Sequence, residues 1–369
     1  MQVCTMAADS LFQPFSIKSL NLKNRFVLAP ISRYSSINEK PAEELAAFHR
    51  RRAEGGVGLT ITGGTAVDRP AANNHPNLAC FRPHTFKAWQ HVVDEVHDAG
   101  GPIALQLWHA GSLYQMKPDW KPVPVESPSG ILASGEPEGT AMTDEDITDT
   151  ISAFARGAEK AVELGFDAVE IHAAHGFLLD EFFWDVTNRR TDRWGGESLA
   201  VRTCFVSEIL RAVRSALKDE IPLFIRISQW KEQDPGARLA RSPRELEEWL
   251  GPLVDADVDV FDCSQRRYWE PEFPGSDLNL AGWVKKVTGR ATITVGSVGL
   301  DSDIMEFMEG KPATHSPVEE LLRRFERGDF DLVAVGRCLL ADPEWIIKLR
   351  DERTDEMETV DPDRFASWK

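Results

Sequence analysis

Eight short apolar runs alternating with amphipathic segments predict an α/β protein folded as a single (β/α)8 TIM barrel. The runs are residues 26–31, 57–62, 103–108, 168–173, 223–228, 258–264, 292–297 and 332–337. Most are apolar with little alternation, as strands covered on both faces should be. Between them, 41–54, 85–99, 143–164, 198–217, 243–255 and 317–327 read as helices. Two open on cap signals: Thr143 with Asp146 three residues on, and Ser242 before Pro243. A doubly wound open sheet is the runner-up. It would want a G-x-G-x-x-G loop after an early strand, which the chain lacks.

The 369 residues are expected to form one domain, with the barrel spanning about 10–350 and a charged tail, loose or an interface arm, at 351–369. Segment 15–24 reads as an N-terminal hairpin capping the barrel's bottom. Segment 117–139, rich in Pro, Gly and Ser, is an extended loop leaving the functional face after strand three. It is a lid or a passive connection.

A net charge of −17 disfavours nucleic acid and anionic membranes as partners. The five cysteines are scattered and no CxxC occurs, which predicts reduced thiols rather than a disulfide frame, a zinc site or an iron–sulfur cluster. No apolar run reaches about 18 residues, so no membrane span is expected. Residues 1–10 lack a basic start and an apolar core, so no signal peptide is expected and a cytoplasmic location follows.

Chemistry in such a barrel gathers at the C-terminal ends of the strands. Strand four delivers His172 and His175 there. Strand one ends in Ala29, Pro30, Ile31, Ser32, Arg33 and Tyr34; strand two in Gly63 and Gly64; strand three gives Gln106 and His109. Strand five gives Arg226, strand seven Gly296 and Ser297, and strand eight Gly336 and Arg337. The set suits a flat, phosphorylated cofactor. Gly296 and Gly336 let backbone N–H groups approach a phosphate, and Arg337 neutralises it. Gln106 offers a donor and an acceptor to the edge of a pyrimidine ring, and Arg226 would stabilise negative charge there.

The ordered motifs resemble the Old Yellow Enzyme family of FMN-dependent ene reductases over residues 10 to 350. The carriers are His172-Ala173-Ala174-His175-Gly176, the stretch from Thr187 to Gly196, Gln106-Leu107-Trp108-His109-Ala110-Gly111 and Val335-Gly336-Arg337. The resemblance implies FMN as cofactor and NADPH or NADH as reductant. Ala29, Pro30, Ile31, Ser32, Gly64, Gln106, Arg226, Gly296, Ser297, Gly336 and Arg337 would line the flavin. His172 and His175 would grip the carbonyl or nitro oxygen of an activated alkene, and Tyr34 would lie on the substrate side. A homo-oligomer is expected from the family and from general frequency.

The chain departs from that pattern twice. The family's proton-donating tyrosine, two residues past the second His or Asn, is here Phe177. Water, Tyr34 or Tyr268 is left to protonate the substrate, and a redox-neutral isomerisation becomes an alternative. Ser32 stands where branches of the family carry Cys or Thr; it can donate a hydrogen bond but cannot act as a redox-sensing thiol. His109 and the stretch 188–196 read as scaffold. Trp230, Arg266, Arg267, Tyr268 and Trp269 are candidates for substrate recognition or for packing against a neighbouring subunit. The spacing of His172 and His175 permits a metal, but no carboxylate or Cys from the same strand end completes a set. A lysine-based aldolase would need a strand-end Lys, which the runs lack.

Overall fold

The computed structural model describes residues 8–113 and 125–362. Eight parallel strands form the ring: β1 (Phe26–Leu28), β2 (Leu59–Ile61), β3 (Ile103–Trp108), β4 (Ala168–His175), β5 (Leu223–Lys231), β6 (Val260–Ser264), β7 (Ala291–Val295) and β8 (Leu332–Val335). Each pairs with the next, and β8 returns to β1 through Val335 and Leu28, so the sheet closes. One principal helix follows each strand: Glu43–Glu54, Phe86–Asp98, Asp144–Glu163, Cys204–Ala216, Pro243–Asp255, Leu280–Thr288, Glu319–Glu326 and Trp345–Arg350. The expected TIM barrel is the fold.

Local signals account for the helix starts. Thr143 Oγ1 accepts from Asp146 N at 3.2 Å, and Asp146 Oδ2 accepts from Thr143 N at 2.9 Å. Ser242 Oγ likewise accepts from Glu245 N at 3.2 Å. Such caps satisfy amides that the helix itself cannot, each worth about 1 kcal/mol.

Alternate side chains along each strand point inward. The lowest layer joins Val27, Leu59, Ala104, Ala168, Phe224, Val260, Ile293 and Leu332 to Leu20 and Leu22. Those two leucines come from the hairpin Phe15–Ile17 and Leu20–Leu22, which seals the bottom. Two residues further along β3 to β6, the inward positions become Gln106, Glu170, Arg226 and Asp262, all buried. The barrel's middle layer is therefore polar on that side.

Several boundaries differ from expectation. β1 stops at Leu28, so Ala29 to Ser32 leave the ladder as a loop. β4 and β5 run on to His175 and Lys231, which pair across an irregularity after Ile227. The tail is not loose as far as residue 362: Val360 is buried and bridges to Ala313. In the loop after β3, Glu126–Ser127 pairs with Thr140–Ala141. Its residues 117–124, together with Tyr114 and Cys4, lie outside the described residues. Among the described residues, no helix is long and apolar enough to cross a membrane.

Candidate active site

His172 and His175 stand at the end of β4 with ring centroids 5.1 Å apart. His172 Nδ1 accepts from Ala174 N at 3.3 Å, which leaves the ring's proton on Nε2. His175 Nε2 shares a hydrogen bond with Ser264 Oγ at 2.7 Å, and its backbone N donates to Ser228 Oγ at 2.9 Å. Burial, reinforced by the Arg226 charge, pushes His172 down to about 3. His175 is held well below its ordinary value by burial, then by His172, Arg226 and Lys231. Both imidazoles are thus neutral donors near pH 7, not acids.

The chain turns sharply to place them. His175 has φ +68° and Gly176 φ +87°. For a non-glycine residue that conformation costs on the order of 1–3 kcal/mol, and such strain concentrates at functional sites. An anchor holds the corner: Asp180 Oδ2 accepts from Gly176 N at 2.7 Å, and Asp180 Oδ1 accepts from Lys231 Nζ at 2.7 Å. Aromatic side chains complete the wall. Trp230 lies 4.6 Å from the His175 ring, and Phe177 packs edge-on between His172 (5.2 Å) and Trp108 (5.1 Å).

Tyr34, from the β1 end, also has positive φ (+47°) and packs on His75 at 4.6 Å. Burial, and then the charge of Glu232, lifts its phenol to about 12. β1 and β5 lie on opposite sides of the ring, and the Glu232 charge reaches the Tyr34 phenol from the far side of the mouth. The Glu232 side chain is solvent-exposed and screened. Protein packed round it still pushes its carboxyl up to about 7. Its backbone N donates to His175 O at 3.0 Å.

The cofactor residues fit FMN. The backbone N–H groups of Gly296, Ser297, Gly336 and Arg337 donate to no acceptor among the described residues, as an anion cradle requires. A Cβ on Gly296 (φ +142°) would fall 2.5 Å from Gln265 O, so only glycine serves there. Arg337, buried, bonds only to neutral oxygens: Asp303 O at 3.0 Å, Ser302 O at 2.6 Å and Ser297 Oγ at 3.1 Å. The Asp303 carboxylate is engaged instead by Arg266 and Arg267, which leaves the Arg337 charge for an anion. Gln106 and Arg226 both belong to the polar layer, on β3 and β5, with Glu170 of β4 between them in the strand order. Arg226 gives Nη1 to Asp262, and its other donors are unengaged among the described residues. Gly336 packs against Ile31 and Ala29, joining the β1 and β8 loops.

Not every sequence candidate joins the site. Tyr268 is turned away from the mouth: it is buried against the helix Glu319–Glu326, where it meets Leu321 and the charges of Glu320 and Arg324. Arg266 and Arg267 are consumed by Asp303 and Glu306 and so are not substrate-recognition groups. His109 is fully buried, accepts from Gly111 N at 3.1 Å and is pushed down to about 3 by burial, which fits its scaffold reading. In the stretch 188–196, Asn188 bonds Phe182 O and Trp194 O, and Arg190 pairs with Asp192 at 2.5 Å, again as scaffold. Among the described residues, no group of three or more His, Cys, Asp or Glu is placed to hold a metal ion.

Sequence reasoning missed Glu170, Asp262, Glu232 and Ser264. The first two carried a signal: an acid at an inward position of an otherwise apolar run is out of character for a core strand. Glu232 carried none, because it lies beyond the expected end of β5.

A closed barrel with a phosphate cradle after β7 and β8, and a polar edge beside two neutral histidines, defines a flavin-dependent oxidoreductase site. The sequence profile of the NADH:flavin oxidoreductase / NADH oxidase family matches residues 10–356. An NADPH dehydrogenase of Bacillus velezensis is 33% identical over 346 residues, covering 92% of this chain and 93% of its own. That of Bacillus subtilis is 33% identical over 345 residues, covering 91% and 93%. Among solved structures, morphinone reductase in complex with tetrahydroNAD superposes with TM-score 0.77 at 25% identity, covering 96% of this chain and 94% of that one. The old yellow enzyme homologue from Zymomonas mobilis, 22% identical with TM-score 0.77, covers 98% and 99% and shares the fold. The chain belongs to the NADH:flavin oxidoreductase / NADH oxidase family, that of Old Yellow Enzyme. It is an NAD(P)H-dependent FMN oxidoreductase.

Proposed function

We propose that the protein reduces the C=C bond of alkenes conjugated to a carbonyl or nitro group, with NAD(P)H as reductant in a ping-pong cycle. When bound, FMN supplies the hydride, taken from NAD(P)H and delivered through N5 to the substrate's β-carbon. The observation that carries the reading is the pair of neutral, adjacent histidines at the barrel mouth. The Nε2–H of His172 is aimed by the Ala174 hydrogen bond. It donates to the substrate's oxygen, and His175 assists once Ser264 yields its hydrogen bond. Negative charge gathers on that oxygen as hydride arrives, and fixed donors stabilise it more there than in the free substrate.

A proton must then reach the α-carbon. Phe177 has none to give, and Tyr268 lies elsewhere. Tyr34 and Glu232 remain at the mouth, and Glu232 is the better matched acid near pH 7, recharged from solvent. One observation favours a second reading, redox-neutral isomerisation: Phe177 seals the position beside His172 with a ring that carries no hydroxyl.

Anaerobic stopped-flow separates the two. Flavin absorbance should bleach with NADPH and return on adding a simple enone. Bleaching with no return after any enone or nitroalkene would reject net reduction and leave isomerisation.

A further inference from the structure

The polar middle layer holds two acids and one cation, all buried. Glu170 and Asp262 are both 0% exposed, and Arg226 is 6% exposed. Gln106 Nε2 donates to Glu170 Oε1 at 2.7 Å, and Arg226 Nη1 donates to Asp262 Oδ2. Between these two contacts, the Glu170 and Asp262 carboxyls are near enough to act on each other's charge. Glu170 Oε2 and Asp262 Oδ1 are buried with no hydrogen-bond partner among the described residues. Two carboxyl oxygens can share a hydrogen bond only if one carries a proton. Full ionisation would also leave one negative charge uncompensated in a layer closed to water, a state that buried groups avoid by protonation.

Among the described residues the surroundings offer no second cation. β4 contributes His172, which is neutral, and β3 contributes the uncharged Gln106. The layer below is Ala104, Ala168, Phe224, Val260 and Ile293. Cys263, next to Asp262, is itself pushed up by burial and by the Asp262 charge.

We propose that Glu170 and Asp262 share a single proton, with Glu170 the acid, and that this pair positions Gln106 and Arg226 for FMN. The role rests on the reading of Gln106 and Arg226 as the flavin's pyrimidine-edge partners. Asp262 stays charged and fixes Arg226. Glu170 donates to Asp262 and accepts from Gln106, which locks the amide with its Oε1 presented on the Gly64 side; a methyl on Gly64 would lie 3.5 Å from it. Burial, with the Asp262 charge second, holds Glu170 well above the ordinary carboxylate range, while Arg226 and Gln106 oppose the shift.

Glu170→Gln mimics the protonated acid, because its amide can donate to Asp262 and accept from Gln106. Glu170→Ala cannot. In the apoprotein, the infrared difference between wild type and Glu170→Gln at mildly alkaline pH should contain the carbonyl band of a protonated carboxylic acid. Absence of that band overturns the shared proton, with or without flavin. For FMN affinity, measured by flavin fluorescence, Glu170→Gln should bind within about threefold of wild type and Glu170→Ala at least about tenfold more weakly. Wild-type affinity should fall at high pH, and that of Glu170→Gln should not. Equal affinity of Glu170→Ala and wild type overturns the positioning role. If Glu170→Ala fails to fold, the infrared band and the pH dependence of Glu170→Gln still decide. If the band is present but Gln106→Ala and Arg226→Ala bind FMN normally, the flavin-edge reading falls, and the positioning role with it, while the shared proton stands.

Discussion

Lys231 and Asp180 form an ion pair at 2.7 Å in which neither side chain has any solvent exposure. The pair ties the end of β5 to the helix Leu178–Phe183, and through Gly176 N it fixes the turn that carries His175. Removing one partner strands the other charge in the core. Asp180→Ala should cost about 3–5 kcal/mol of stability, read from urea denaturation of the holoprotein. A loss under about 1 kcal/mol would mean that the turn does not depend on this pair.

Neutral histidines predict a particular pH behaviour. The folded His172 sits at about 3, far below its unfolded value, so its contribution to stability is full above about pH 6.5 and is lost as pH falls toward 3. Between about pH 6 and 8 the histidine grip should not titrate. His172→Ala should lower kcat/KM for an enone by about 10²–10³. A wild-type rate inflection near pH 6.5 that disappears in His172→Ala would contradict a neutral donor.

Glu232 and Phe177 give a paired test of the proton source. Glu232→Gln should reduce the rate of flavin reoxidation by enone by about 10²-fold, with reduction by NADPH little changed. Phe177→Tyr should raise turnover and should restore it in the Glu232→Gln background. If Glu232→Gln reoxidises at the wild-type rate, the proton comes from Tyr34 or water.

Glu181 supplies a second linkage. Its carboxyl accepts from Ser112 N at 2.9 Å and from Ser112 Oγ, yet burial pushes it up to about 8. The folded state therefore holds a proton that the unfolded chain releases, and stability should fall as pH rises from about 4.5 to 8. Each unit of the gap corresponds to about 1.4 kcal/mol at most. Glu181→Gln should flatten that slope in thermal unfolding scans; an unchanged slope would place the proton elsewhere.

The barrel was legible because its signals are local. Apolar runs mark strands buried on both faces, and Thr143 and Ser242 mark helix starts. The residues proposed for the flavin side could be named from the sequence because they lie at strand ends in a fixed order. What escaped depends on partners distant in sequence. Tyr268 follows β6 and was expected near the mouth, but its direction is set by Leu321 on the helix that follows β7. Arg266 and Arg267 looked free until Asp303 folded against them. Glu232 entered the site only because β5 extends past its expected end to pair Lys231 with His175.

The hairpin floor has a kinetic consequence. Leu20 and Leu22 plug one end of the ring, and the layers above them are filled by side chains, so among the described residues visitors reach the site from the mouth and not through the barrel. On the proposed ping-pong reading, nicotinamide and acceptor take turns at that mouth. Each at high concentration should block the other's access, so that both act as competitive inhibitors of the half-reaction they do not serve.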